Sequence, residues 1–79
     1  MKIQIAGSGC YRCISTEKNV IEACAQLNLA VDISHIYDIK EYAKLGVRIT
    51  PAVIVDGKVI LSGKVPTINE LKELLTSNM

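Results

Sequence analysis

Two cysteines, Cys10 and Cys13, are separated by two residues and lie where a strand-like segment is followed by a helix-like one. This placement constrains the fold more than any other feature of the sequence. Thiols at this spacing can close a small disulfide loop. The beginning of a helix favours a thiolate, because unpaired N–H groups and the positive end of the helix dipole lie there. A thiolate is the species that attacks and leaves in disulfide exchange. The pattern indicates redox chemistry on disulfides, with metal binding as the competing interpretation.

The composition is that of one small globular domain. The chain has 79 residues, of which 49% are hydrophobic, and a formal net charge of +1. We therefore expect a single domain over residues 1–79 with its own core, and neither nucleic acid nor a membrane as a partner. Three cysteines are an odd number, which argues against a secreted disulfide framework and for a reducing, cytoplasmic setting.

Hydrophobic periodicity and turn residues predict the element order β-α-β-α-β-β-α. The predicted elements are strands at 2–6, 31–36, 52–55 and 58–61, a helix from Cys10 to about Asn28, a short helix that ends at Gly46, and a last helix that begins at Thr67. The buried stripe predicted for the first helix consists of Cys13, Ile14, Val20, Ile21, Cys24 and Leu27. Parallel strands joined by helices, followed by a hairpin, imply an α/β fold with a mixed four-stranded sheet flanked by three helices.

Local signals fix several of these boundaries. The dipeptide Asp56-Gly57 predicts a two-residue hairpin turn between the last two strands. The spacing of Asp38 and Glu41, and likewise of Thr67 and Glu70, predicts a capping box at the start of a helix.

Three segments together carry a family resemblance: Gly9-Cys10-Tyr11-Arg12-Cys13, Gly46 to Ala52 with Thr50-Pro51, and Asp56-Gly57-Lys58-Val59. In these the chain resembles the minimal thioredoxin fold of glutaredoxins and of small redox-active disulfide proteins of archaea and bacteria. The resemblance covers essentially the whole chain. It implies a dithiol–disulfide oxidoreductase that reduces protein disulfides and is recharged by an upstream reductase. It also implies that no organic cofactor or metal is needed, since a Cys10–Cys13 disulfide carries the electrons.

The same resemblance implies roles for individual residues. Cys10 would be the nucleophile and Cys13 the resolving thiol. Pro51 would be cis and packed beside the disulfide, the backbone of Thr50 would pair with an extended substrate segment, and Gly63 would leave room for that segment.

The dipeptide between the cysteines departs from the family patterns. Tyr11-Arg12 replaces the Gly-Pro of thioredoxins and the Pro-Tyr of glutaredoxins. We expect both side chains to face solvent and contact the substrate, with the charge of Arg12 favouring the thiolate. The stretch Ser62-Gly63-Lys64 lacks the Gly-Gly and Asp that hold glutathione in glutaredoxins, which argues against glutathione as a partner.

Three further residues have competing interpretations. Glu17, four residues after Cys13 within the apolar stripe, is either a base that takes the proton of Cys13 or a solvent-facing side chain near the helix start. Cys24 lies about 21 Å along an ideal helix from Cys10, so we expect a buried core residue and not a third redox thiol. His35 has no evident carboxylate partner in the sequence, and we assign it no role.

Two other functions stay open. Copper- and zinc-carrier domains also place C-x-x-C after a first strand, but they usually have Met where this chain has Ser8, and their later elements follow a different order. A redox sensor would keep an exchange-competent pair without catalytic turnover.

Overall fold

Secondary-structure elements follow one another in the predicted order in the computed structural model, which describes residues 1–7 and 11–77. They are β1 (Lys2–Ala6), α1 (Tyr11–Gln26), β2 (Asp32–Ile36), α2 (Ile39–Lys44), β3 (Ala52–Val55), β4 (Lys58–Ser62) and α3 (Ile68–Ser77). The sheet order is β2-β1-β3-β4, in which β1 pairs parallel with β2 and antiparallel with β3, and β3 pairs antiparallel with β4. The predicted mixed four-stranded sheet with three helices is confirmed.

The helices cover both faces of the sheet, because successive strand residues point to opposite sides. The cluster beneath α1 and α3 consists of Ile3, Ile5, Val20, Ala23, Cys24, Val53, Val55, Leu71 and Leu75. The cluster on the α2 side consists of Ala6, Tyr42, Val47, Ala52 and Ile54. The prediction that Cys24 belongs to the core is confirmed. Strands β1 and β3, covered on both faces, hold the site in place.

The buried face of α1 agrees with the predicted one in part, since Cys13, Val20 and Cys24 are buried as predicted. Ile14 and Ile21 are 44% and 50% exposed, whereas Thr16 and Ala23 are fully buried. Small side chains at these two positions allow the helix to lie close to its neighbours. The hydroxyl of Thr16 donates a hydrogen bond to the carbonyl oxygen of Arg12 (2.9 Å), which satisfies this buried polar group. The prediction of buried Ile14 and Ile21 was wrong because apolar spacing does not reveal that a hydroxyl can be satisfied within the helix.

The predicted hairpin turn is present and is bonded to β1. Asp56 and Gly57 have φ values of 49° and 84°, as a two-residue turn of this kind requires. The amide of Asp56 donates to the carbonyl of Lys2 (2.8 Å), and the amide of Lys2 donates to Asp56 Oδ1 (2.9 Å). These bonds join the turn to the start of β1.

One of the two predicted capping boxes forms. At the start of α3, the amide of Glu70 donates to Thr67 Oγ1 (3.1 Å) and the amide of Thr67 donates to Glu70 Oε1 (3.3 Å). At α2, the carboxylate of Asp38 instead accepts from the amide of Lys40 (2.9 Å), so this cap uses a tighter local turn. No helix within residues 1–7 and 11–77 has both the length and the apolar character to cross a bilayer.

Candidate functional site

The first turn of α1 lies against the backbone that follows β1. Cys13, the third residue of α1, is fully buried, and its Sγ contacts the backbone at Gly7 so closely that a Cβ there would overlap the sulfur. The same Cβ would lie 3.8 Å from Cβ of Thr50. The structure therefore brings Cys13 and Thr50 together around Gly7. The predicted nucleophile Cys10 lies outside the described residues, so its position and role stay predictions.

The segment before β3 lies beside the end of β4. The Thr50–Pro51 peptide bond is cis, and Pro51 is buried. The carbonyl oxygen of Pro51 accepts a hydrogen bond from the amide of Gly63 (2.9 Å). Gly63 has a φ of 83°, and a Cβ there would lie only 3.1 Å from Cγ2 of Ile49. Glycine is thus favoured by backbone conformation and by Ile49. The substrate roles of Thr50, Pro51 and Gly63 stay predictions.

Tyr11 and Arg12 are exposed, as predicted, and Arg12 also makes a contact that the sequence did not suggest. Its Nη2 donates a hydrogen bond to the carbonyl oxygen of Gly63 (3.1 Å). Since the amide of Gly63 is bonded to Pro51, two hydrogen bonds run in series from α1 through β4's end to the segment before β3. This series links the dipeptide between the cysteines to the cis-proline.

Glu17 contacts His35, which corrects the expectation that His35 has no carboxylate partner. Glu17 Oε2 lies 3.5 Å from His35 Nδ1, and the two side chains are 35% and 6% exposed, respectively. The distance is within ion-pair range, but among the described residues neither ring nitrogen of His35 has a hydrogen-bond partner. The imidazole also stacks on Tyr37, with ring centroids 4.2 Å apart. Glu17 is therefore half-buried and adjacent to a titratable group.

This pair could have been found by combining two sequence patterns. Glu17 interrupts the apolar stripe of α1, and His35 alternates with Ile33 along β2. A crossover between the parallel strands β1 and β2 carries α1 over their shared face. Two polar residues that interrupt facing apolar patterns are expected to meet.

Burial affects the reactivity of the third cysteine, Cys24. Burial raises the pKa of the Cys24 thiol, which lowers its fraction of reactive thiolate. Within the described parts of the chain, no three His, Cys, Asp or Glu side chains are grouped as metal ligands. The carrier hypothesis involves Cys10, outside those parts, and stays a hypothesis.

Comparisons with known proteins agree with this architecture. Residues 1–76 match a family model described as a thioredoxin domain. A protein named thioredoxin from Methanocaldococcus jannaschii is 37% identical over 75 residues, which are 95% of this chain and 86% of the relative. Another protein named thioredoxin, from Methanothermobacter thermautotrophicus, is 34% identical over 76 residues, 96% of this chain and 99% of the relative. With its fold and these matches, the chain belongs to the thioredoxin-domain family.

Proposed function

We propose that this protein is a thiol–disulfide oxidoreductase that reduces disulfides of protein substrates through Cys10 and Cys13. Family membership and two relatives named thioredoxin support a redox protein of this general kind. The observation that carries the proposal is the position of Cys13, buried in the first turn of α1 against Gly7 and near Thr50. A sulfur held at this place suits a second, resolving thiol, since it is shielded from competing reagents.

The reaction proceeds in two exchanges. The Cys10 thiolate attacks one sulfur of the substrate disulfide, forming a mixed disulfide and releasing the other sulfur as a thiolate, which takes up a proton. Cys13, after losing its proton, attacks the sulfur of Cys10 and releases the second substrate thiol. Two electrons pass to the substrate, and the Cys10–Cys13 disulfide remains. An upstream dithiol reductase returns the pair to the reduced form, so neither an organic cofactor nor a metal is required.

Glu17 accepts the proton of Cys13 in the second exchange. Residues four apart on a helix are neighbours on its surface, and Glu17 is half-buried. The nearby His35 ring gives its carboxylate a polar neighbour in this setting. A positioned carboxylate of this kind acts as a general base.

Extended backbone of the substrate lies along the segment before β3. In this proposal Thr50 pairs with it through its main chain, while Pro51 and Gly63 shape the surface and Tyr11 contacts it from α1. The exposure of Tyr11 supports this placement. The odd number of cysteines supports a cytoplasmic setting, in which an accessible thiol pair stays reduced.

Reduction of insulin disulfides by dithiothreitol, followed as turbidity, tests the proposal. The wild-type protein should accelerate the reaction, and Cys10→Ser should return the rate to that of dithiothreitol alone. In a separate reaction without dithiothreitol, pre-reduced Cys13→Ser should accumulate a mixed disulfide with insulin that is visible by mass spectrometry. Cys24→Ala is the matched control and should retain activity.

Equal rates for wild type and Cys10→Ser would contradict the proposal. A single exchange without repeated turnover, with a reductant in excess, would instead favour the redox sensor. Tight binding of Cu(I) or Zn(II) with no exchange would favour the carrier domain.

A further inference from the structure

The guanidinium of Arg12 is hydrogen-bonded to the backbone of Gly63, which is in turn hydrogen-bonded to Pro51. Arg12 Nη2 donates to the carbonyl of Gly63 at 3.1 Å, and the amide of Gly63 donates to Pro51 at 2.9 Å. The side chain of Ile49 packs against Gly63. An exposed arginine ordinarily samples many rotamers, and the hydrogen bond to Gly63 favours one of them, which lowers the entropy cost of binding through this side chain.

Among the residues that the structure describes, the guanidinium donates to Gly63 and keeps most of its N–H groups available. Arginine has five N–H donors in a planar fork, and the contact with Gly63 uses only one of its nitrogens. Within the described part of the chain, the recorded ion pairs are His35 with Glu17 and Lys64 with Glu70, and neither includes Arg12. A planar fork that pairs with no carboxylate of residues 1–7 and 11–77 matches a carboxylate from another molecule.

Exposed apolar side chains lie beside Gly63 and next to Arg12 in the chain. Tyr11 is 83% exposed, and Ile49 is 62% exposed although it contacts Gly63. We call the surface formed by Tyr11, Arg12, Ile49 and Gly63 the Arg12 surface. Tyr11 and Arg12 directly follow the predicted nucleophile in sequence, and Gly63 is hydrogen-bonded to Pro51. A peptide bound there would offer one anionic side chain to Arg12 and apolar atoms to its borders.

We propose that the Arg12 surface selects disulfide substrates that carry an aspartate or glutamate beside the reacting cysteine. This rests on the proposed exchange reaction and adds the class of substrate. The surface is exposed, so the preference is expected to be moderate, about three- to tenfold in the rate of the first exchange. It should weaken as salt rises, because exposed charges are screened.

Two peptides test this, identical except for Glu or Gln next to a cysteine that is disulfide-bonded to 2-thiopyridine. Attack by Cys10 forms its bond to the peptide sulfur, breaks the peptide–thiopyridine bond and releases thiopyridone, which is followed by absorbance. Wild-type protein should react three to ten times faster with the Glu peptide, and Arg12→Gln should bring the ratio close to one. Arg12→Lys should retain part of the preference. Lys58→Gln, which removes an exposed cation at the far end of the β3–β4 hairpin, should leave the ratio unchanged.

A second measurement involves no thiol chemistry. Peptides with serine in place of the cysteine are titrated onto the protein, and the Nε–H resonance of Arg12 is followed by NMR. A shift with the Glu peptide and not with the Gln peptide supports the inference, and equal responses overturn it. Equal reaction rates, or a ratio that survives Arg12→Gln, overturn the inference and leave the exchange reaction standing. Failure of both peptides to react overturns the proposed function, and the titration then decides the inference alone.

Discussion

Glu17 offers a test of the second exchange by a single atom change. Its carboxylate lies 3.5 Å from His35 Nδ1, on the turn of α1 that follows Cys13. Glu17→Gln preserves the size of the side chain but removes its ability to accept a proton, so the resolution of a preformed mixed disulfide should slow at least about tenfold. Stopped-flow release of the substrate thiol between about pH 5 and pH 9 measures this step.

The comparison that matters is between the two exchanges. In Glu17→Gln, attack by Cys10 should keep its rate. The control Glu22→Gln makes the same change at an exposed glutamate of the same helix and should affect neither step. An unchanged resolution rate with an unchanged pH profile would assign Glu17 to the surface interpretation that the sequence also allowed.

At single residues, the sequence predicted the exposure of Tyr11 and Arg12 and the burial of Cys13 better than it predicted their contacts. The C-x-x-C spacing and the Thr-Pro pair suffice to select Cys13 and Pro51, because each has few structural alternatives. The hydrogen bond from Arg12 to Gly63 joins residues 51 positions apart and depends on where β4 ends beside α1. A contact between residues so far apart in the chain cannot be predicted from the local sequence around either of them.

The start of α3 gives a prediction about acid sensitivity. A hydrogen bond from Lys64, and then one from the backbone amide of Thr67, hold the pKa of the Glu70 carboxyl below its ordinary value. A carboxylate with a lowered pKa stabilises the fold above its unfolded pKa, and this stabilisation is lost as pH falls through the folded pKa. Glu70→Gln should therefore lower the free energy of unfolding at pH 7, and its difference from wild type should close as pH falls below about 4.

Urea unfolding at several pH values, with and without added salt, measures this difference. Salt should reduce it, because the Lys64 partner is exposed. Glu73→Gln, on the exposed side of the same helix, is the control and should show no such pH dependence. A constant deficit for Glu70→Gln down to pH 3 would indicate a steric effect and not the lost charge.

Helices and strands were predicted nearly to their ends, whereas the buried face of α1 was predicted only in part, because Ile14 and Ile21 are exposed. Strand β1 and the hairpin turn follow from alternation and from Asp56-Gly57, which are local signals. The face that α1 buries depends on α3, which arrives some forty residues later and packs on small residues such as Ala23. Tertiary packing therefore determines that α1 buries Thr16 and Ala23, and not the neighbouring Ile14 and Ile21 that its apolar spacing favoured.

For the molecule as a whole, Cys24 reports on opening of the core. It lies in the cluster that α1 and α3 form with the sheet, and burial raises the pKa of its thiol. We expect iodoacetamide to leave Cys24 unmodified in the native protein and to modify it at a rate that rises with denaturant in step with global unfolding. Peptide mapping by mass spectrometry identifies the site, and Cys24→Ala should remove that modification. Rapid labelling in native buffer would show that this part of the core opens locally.

Within the described residues, helix α1 is hydrogen-bonded at two points to the segment between β4 and α3. Arg12 donates to the carbonyl of Gly63 at 3.1 Å, and Asn19 Nδ2 donates to the carbonyl of Pro66 at 2.8 Å. These donors are seven residues apart, about 10.5 Å along the helix axis. The loop between Gly63 and Pro66 must therefore place its two carbonyl oxygens at a matching separation. An inserted or deleted residue there would break one bond and shift the helix that carries Cys13. The side chain at Val65 can therefore vary more freely in evolution than the number of residues that separates the two carbonyls.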